Sequence, residues 1–441
     1  MPERRQEKGT QAMDTINRLE SNVRSYCRSF PTLFRYARGA VLEDDQGREY
    51  IDFLAGSGVL NYGHNNTFIK EPMLKYLMED RIIHGLDMAT TTKRKFLATF
   101  EALVLLPRRL NYLMQFTGPT GANAVEAALK IARRVTGRHT VVSFSNGFHG
   151  VSLGALSATA NAYYRGAAGL PSLGTAFLPY DGFLGPDIDT IKILEQAFSD
   201  PGSGLDQPAA VIVETVQAEG GMNLARFEWL RAVERLCRAH GALLIVDDIQ
   251  MGCGRTGPFF SFEPAGISPD IVLLSKSLSG YGLPLSLVLL KPEFDCWKPA
   301  EHNGTFRGNN LALKTATVVL NIYWQDDELQ KNVARKGDLL SQRLESMTRN
   351  HSAPWTVRGR GLAQAIDFGS RALAKEVGKA AFSRGLIVET CGSRDQAIKC
   401  IPPLTISEPL LQRGLDVLEE SIDVCAPQRA SEVVVELATA S

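Results

Sequence analysis

Two apolar runs of this chain end in residues that could do chemistry. ALLIVDD (242–248) carries Asp247 at its end, and IVLLSK (271–276) finishes on Ser275 and Lys276. In an open parallel sheet, ligands gather outside the carboxyl ends of the strands, so Asp247 and Lys276 belong to one site. A charge closing a buried strand needs a partner. A ligand with a ring-nitrogen cation and an aldehyde satisfies both. The carboxylate keeps the ring nitrogen protonated, so that the ring accepts electrons from a carbanion. The lysine condenses with the aldehyde and later moves the proton. The same two residues equally suit a structural ion pair at a strand edge.

Two further segments supply what such a ligand needs. In FTGPTGANAVEAALK (116–130), Gly118 and Gly121 open a helix. Its first N–H groups and dipole make an anion site, with the backbone of Gly121 and Ala122 placed to hold a phosphate. Ordinary turn chemistry accounts for many glycine-rich helix starts, so this segment alone is weak. In SNGFHG (145–150), Phe148 is placed to lie flat on a pyridine ring with His149 beside it. A core position suits Phe148 as well.

The elements that position these residues are legible as an alternation. VVSFS (141–145), AAVIVET (209–215), ALLIVDD, IVLLSK and SLVLL (286–290) are nearly continuous apolar runs. Such runs fit strands buried on both faces of a mostly parallel sheet. Between them, ANAVEAALKIARRV puts Val125, Leu129, Ala132 and Val135 on one helical face, and RFEWLRAVERLCRAH does so with Leu230, Val233, Leu236 and Cys237. The expected fold is α/β: a large domain with a mostly parallel sheet covered by helices, plus a smaller α+β domain. Residues 1–75 are expected to form the N-terminal segment of the small domain, 76–319 the large cofactor-binding domain, and 320–441 the C-terminal part of the small domain. VLEDDQGREYIDFLAG predicts a hairpin around an Asp45-Gln46-Gly47 turn. Leu320–Asn350 reads as helix, and VRGRGLAQAIDF and IKCIPPLTI read as strands.

Composition narrows the partners. The 48 basic and 48 acidic residues cancel, which favours neither nucleic acid nor an anionic membrane surface. No apolar run approaches the roughly 20 residues needed to cross a bilayer. The N-terminus is polar where a secretory signal would be apolar, and a cytoplasmic location is expected. The seven cysteines are scattered without metal-ligand spacing and read as reduced thiols, with no metal site.

Taken together, these motifs resemble the class III (ornithine and 4-aminobutyrate type) aminotransferases of fold type I, from about residue 30 to 420. The family's Asp-Glu-Val-Gln-x-Gly-x-Gly-Arg-Thr-Gly is matched by residues 247–257, DDIQMGCGRTG, and the 29-residue step from Asp247 to Lys276 also fits. The resemblance implies pyridoxal 5′-phosphate carried as a Schiff base on Lys276. It implies Asp247 on the pyridinium, Gln250 on the phenolic oxygen and Phe148 stacked on the ring. GTFRGNN (304–310) matches the family's Thr-Phe-x-Gly-Asn, which implies that Thr305 reaches the phosphate of a neighbouring subunit in a homodimer or higher homo-oligomer.

HGLDMATT (84–91), GSGVLNYGHNN (56–66) and LSKSLSGYGLPLS look like the diaminobutyrate–2-oxoglutarate branch of the family, as do Asp248, Arg307 and Asn310. That likeness implies ping-pong transfer of an amino group from L-glutamate to aspartate 4-semialdehyde. The alternatives are another ω-aminotransferase, acting on ornithine, acetylornithine or 4-aminobutyrate, and an aminomutase on the same fold.

Two departures stand out. Ala122 replaces the usual Ser or Thr hydroxyl at the phosphate turn, a loss of about 1–2 kcal/mol if no other donor takes its place. The family's Glu–Arg pair, which handles the substrate's α-carboxylate, is matched by Glu219 and Lys399, and a lysine offers a point charge instead of a fork. Arg307 is therefore a rival carboxylate binder.

Overall fold

In the computed structural model, which describes residues 13–169, 174–351 and 353–426, the five apolar runs are strands of one seven-stranded sheet. Its order is Leu113–Phe116, Leu287–Leu290, Ile271–Leu274, Leu243–Asp247, Ala210–Val213, Val141–Phe144 and Thr175–Leu178. The central four, from Ile271–Leu274 to Val141–Phe144, pair in parallel, and all their residues are buried. Leu287–Leu290 runs antiparallel to both of its neighbours. The connection between Leu274 and Leu287 carries only one 3-10 turn, Lys276–Ser279, and no helix of the kind that usually makes a parallel crossover.

Successive strand residues serve opposite faces. Ile212, Leu243, Ile245, Ile271, Leu273 and Val288 pack with Val125, Leu129 and Ala132 of the helix Gly121–Thr136. Their sequence neighbours Val211, Val213, Leu244, Val246, Val272 and Leu289 join the larger core with Leu230, Val233, Leu236 and Cys237 of the helix Phe227–His240. Both helices stop at a glycine with positive φ, Gly137 (69°) and Gly241 (61°). The sheet is thus sandwiched between helices, with its strand ends held in fixed register.

The Val41–Asp44/Glu49–Asp52 hairpin forms as expected. Asp44 Oδ1 accepts the N–H groups of Gln46 and Arg48 across its turn. A parallel pairing of Glu49–Asp52 with Leu386–Ile387 brings the two ends of the chain into one sheet. A second small sheet orders Thr356–Arg360, Ala363–Asp367, Ala397–Cys400 and Glu389–Cys391. The stretch expected to be helical over Leu320–Asn350 is formed by two helices, Asn310–Tyr323 and Glu328–Asn350, separated where Trp324 turns its indole to the Tyr62 hydroxyl. The expected divisions at 75/76 and 319/320 lie within the helices Thr67–Met78 and Asn310–Tyr323. No helix among the described residues is long and apolar enough to cross a membrane. The polar tail expected at the N-terminus lies largely outside the described residues.

Candidate active site

The carboxyl ends of the four central strands deliver the site. Phe148 and His149 follow Val141–Phe144, Glu214 follows Ala210–Val213, Asp247 ends its own strand, and Lys276 lies just beyond Ile271–Leu274. Asp247 is buried. Its Oδ2 lies 2.7 Å from His149 Nδ1, and its Oδ1 accepts the Ile249 N–H at 3.2 Å. A carboxylate offers about four lone-pair sites, so Asp247 keeps acceptor capacity for a ring N–H. His149 is therefore the residue that orients Asp247, where sequence reasoning had only placed it beside the ring.

Lys276 sits at φ 48°, a left-handed conformation costly for a side-chain-bearing residue. Its Nζ donates to the Ser57 carbonyl at 3.0 Å. The acceptor belongs to a turn in which Ala55, Gly56, Ser57 and Gly58 all have positive φ. Strain on both sides of the contact marks a place where the fold pins a functional group. Burial pulls the Lys276 pKa below its ordinary value, against the pull of the nearby Glu219 carboxylate. A lowered pKa brings a lysine closer to the free amine that chemistry with an aldehyde requires.

Gln250 joins this group to a second cluster. Its amide nitrogen donates to Ser57 O at 2.9 Å and lies 3.3 Å from Glu219 Oε1, while its Oε1 is buried without a partner among the described residues. Glu219 Oε1 accepts from Lys399 Nζ at 2.7 Å. Burial alone would raise the Glu219 pKa, but the Lys399 ammonium, and after it Lys276, bring it down to about 2.

The glycine-rich turn meets the same strand ends. A Cβ at Gly121 would sit 3.0 Å from the Ile249 side chain, and one at Gly150 would sit 2.9 Å from the Ala122 Cβ. The start of the helix thus packs directly against the residues that follow Asp247 and His149. Thr120 and Asn123 close a capping box there, leaving the first-turn N–H groups of Gly121 and Ala122 for an anion. Phe148 is half-buried, its N–H on Glu214 Oε1 at 2.9 Å and its ring edge-on to Tyr164.

Thr305 and Arg307 stand apart from this group. Thr305 is exposed, although its neighbour Gly304 lies beside Gly118. Arg307 pairs with Asp87 at 3.0 Å, and neighbouring Phe306 packs on His84.

Two residues were missed. Glu214 ends the AAVIVET run by the same rule that singled out Asp247. Burial, and after it the Asp247 charge, push its carboxyl well above the usual range. Glu389 lies 3.0 Å from Lys399 Nζ across the pairing of Glu389–Cys391 with Ala397–Cys400, and no sequence signal marked it.

These residues fit pyridoxal phosphate. A buried carboxylate with spare lone pairs, a lysine of lowered pKa and an open helix start converge at one set of strand ends. The comparisons agree. The family profile for aminotransferase class III matches residues 25–422. The chain is 58% identical to an uncharacterized aminotransferase of Sinorhizobium fredii, covering 92% of this chain and 90% of that one. It is 56% identical to the diaminobutyrate–2-oxoglutarate transaminase of Bordetella parapertussis, covering 92% and 94%. Among solved structures, the ornithine aminotransferase from Toxoplasma gondii superimposes with a TM-score of 0.81 at 28% identity, over 93% of this chain and 94% of that one.

Proposed function

This chain belongs to the class III aminotransferases, and from that premise we propose that it moves an amino group from L-glutamate to aspartate 4-semialdehyde, giving L-2,4-diaminobutyrate and 2-oxoglutarate. The substrate choice is supported by relatives 52–56% identical over nearly the whole chain that carry the name diaminobutyrate–2-oxoglutarate transaminase. The chemistry is supported by one observation, the convergence of Asp247, Lys276 and the Gly121 helix start at one set of strand ends.

When bound, pyridoxal phosphate supplies an aldehyde that takes up the amino group and a ring that takes up electron density. Lys276 would provide the amine for that aldehyde and carry the proton. Its hydrogen bond to Ser57 O would keep the free amine at the site. Asp247, held by His149, keeps the ring nitrogen protonated. Gly121 and Ala122 hold the phosphate through backbone N–H groups, and Gln250 turns its amide to the phenolic oxygen. Phe148 covers one ring face. In this reading, residues 76–319 form the large cofactor-binding unit, the flanking segments form the smaller one, and the enzyme works in the cytoplasm.

We place the active unit as a homodimer. Ile82, Leu86, Met88 and Phe306 are large apolar residues left exposed, and the Arg307–Asp87 and Phe306–His84 contacts put their two segments on one face. Contiguous exposed apolar surface of this kind marks an interaction site. Thr305 lies on that face, placed to reach the phosphate of a second copy, and Arg307 braces it. Thr305→Ala is expected to weaken cofactor retention on dialysis by about tenfold or more, the usual worth of a hydrogen bond to a charged group. The loss should deepen as the protein is diluted. Unchanged retention in a confirmed dimer would remove Thr305 from the phosphate site.

The substrate assignment is tested with a panel of amine donors and aldehyde or keto-acid acceptors. Glutamate with aspartate 4-semialdehyde should give the highest kcat/KM. A higher value with glutamate semialdehyde or succinate semialdehyde would move the enzyme to the ornithine or 4-aminobutyrate type.

A further inference from the structure

Lys399 takes the place of an arginine expected to receive a substrate carboxylate, yet its side chain is 0% exposed. It lies between two carboxylates, Glu219 Oε1 at 2.7 Å and Glu389 Oε2 at 3.0 Å. A cation with no open face cannot meet a substrate carboxylate unless one of these partners leaves. Such a cation acts as a counter-ion that fixes the two carboxylates. Those partners do reach the open side, with side-chain exposures of 24% for Glu219 and 14% for Glu389. Two carboxylates around one ammonium leave a negative charge. Tyr26, which donates to Glu389 Oε1 at 2.6 Å, adds none, because burial and then Glu389 push its phenol further up. Glu389 Oε2 faces Lys399 off the line of a hydrogen bond and is a buried acceptor without a hydrogen-bond partner among the described residues.

This anionic wall borders the reacting centre. Gln250 links Glu219 to Ser57, and the Ser57 carbonyl holds Lys276. Glu219 and Glu389 both act electrostatically on Lys276, so the wall is close enough to meet the far end of a substrate that reacts there through its ω-amine. In a diamino acid that end carries an α-ammonium group as well as a carboxylate.

We propose that Glu389, with Glu219, is a specificity-determining residue that accepts the non-reacting ammonium group of an ω-amino acid, while buried Lys399 holds both carboxylates and Tyr26 holds Glu389 in position. The inference rests on the reading of the chain as an ω-aminotransferase, and it separates substrates that this reading alone does not. L-2,4-Diaminobutyrate and 4-aminobutyrate differ only by the α-ammonium, as do L-ornithine and 5-aminovalerate. Glutamate, which reacts through its α-amine, brings no second ammonium.

The experiment compares kcat/KM for both pairs in the wild-type holoenzyme and in Glu389→Gln, with glutamate as the control donor. The wild type should prefer the diamino acid of each pair. In Glu389→Gln, kcat/KM for the diamino acids should fall about 10- to 100-fold, the usual worth of a charged hydrogen bond. Most of that fall should appear in KM. The values for 4-aminobutyrate and 5-aminovalerate should fall far less, so the ratio within each pair is the readout. Glu389→Asp, which keeps the charge, should restore part of the preference. Tyr26→Phe, at a half-exposed residue, should reduce it in the same sense and provides the test if Glu389→Gln does not fold. If the wild type rejects diaminobutyrate but prefers ornithine to 5-aminovalerate, and Glu389→Gln loses that preference, the inference stands and the diaminobutyrate assignment falls. A wild type without preference in either pair, or a folded variant that keeps it, overturns the inference.

Discussion

Lys276→Ala is expected to abolish amino transfer while leaving the fold intact. In the proposed reading the variant loses the amine that meets the cofactor's aldehyde and the group that moves the proton. Positioned proton transfer alone is worth about 100- to 10,000-fold in rate, so the loss should be at least of that order. The fold should survive because Lys276 contributes little to it. Among the described residues its Nζ has one hydrogen bond, to Ser57 O, and its backbone stays a strained non-glycine residue in either form. Turnover within about tenfold of wild type, some 1.4 kcal/mol of barrier, would exclude Lys276 from the role.

Stability measured against pH gives an independent reading of the same residue. Burial lowers the Lys276 pKa in the folded state, so the unfolded chain binds more protons between that lowered value and the ordinary lysine value of about 10.4. Stability therefore rises with pH across that window in the wild-type apoprotein. Lys276→Ala lacks this contribution, so the difference between the two should shift in favour of the wild type as the solution becomes alkaline. A difference independent of pH would mean that the lysine is not desolvated.

The site was legible where chemistry coincides with the end of a continuous apolar run. Asp247 and Lys276 are visible on those grounds, and Glu214 carries the same signal. The two faces of the sheet were legible as well, because strand side chains alternate and the helical faces of Val125, Leu129 and Ala132 match one set. Strand direction was not, since an apolar run such as SLVLL reads the same both ways. The break at Trp324 was hidden because it depends on Tyr62, far away in the chain. Contacts across the fold were the least accessible. His149 meets Asp247 98 residues away, and Lys399 meets Glu219 180 residues away. The family resemblance suggested the second pair, but the exposure that turns Lys399 into a counter-ion belongs to the packing alone.

Asp247→Asn keeps the shape of the side chain and removes its charge, so it isolates the electrostatic role. An amide cannot hold a ring nitrogen protonated, and removing one preorganised electrostatic partner from a water-poor site costs about 100- to 1000-fold in kcat. The cofactor should still bind, because the Gly121 helix start and Lys276 are untouched. The neighbours should respond too. The Asp247 charge is, after burial, the main influence raising the Glu214 pKa, so in the variant Glu214 should ionise at lower pH. His149 Nδ1 would lose its carboxylate at 2.7 Å and with it part of its fixed orientation. Asp247→Glu separates charge from placement: it retains the carboxylate but moves it by one methylene, so it should recover some of the rate without restoring it. Steady-state turnover with glutamate, together with the absorbance of the bound cofactor, measures both effects. Activity within about tenfold of wild type in Asp247→Asn would show that the carboxylate does not control the ring nitrogen. Loss of cofactor binding instead of rate would assign Asp247 to retention.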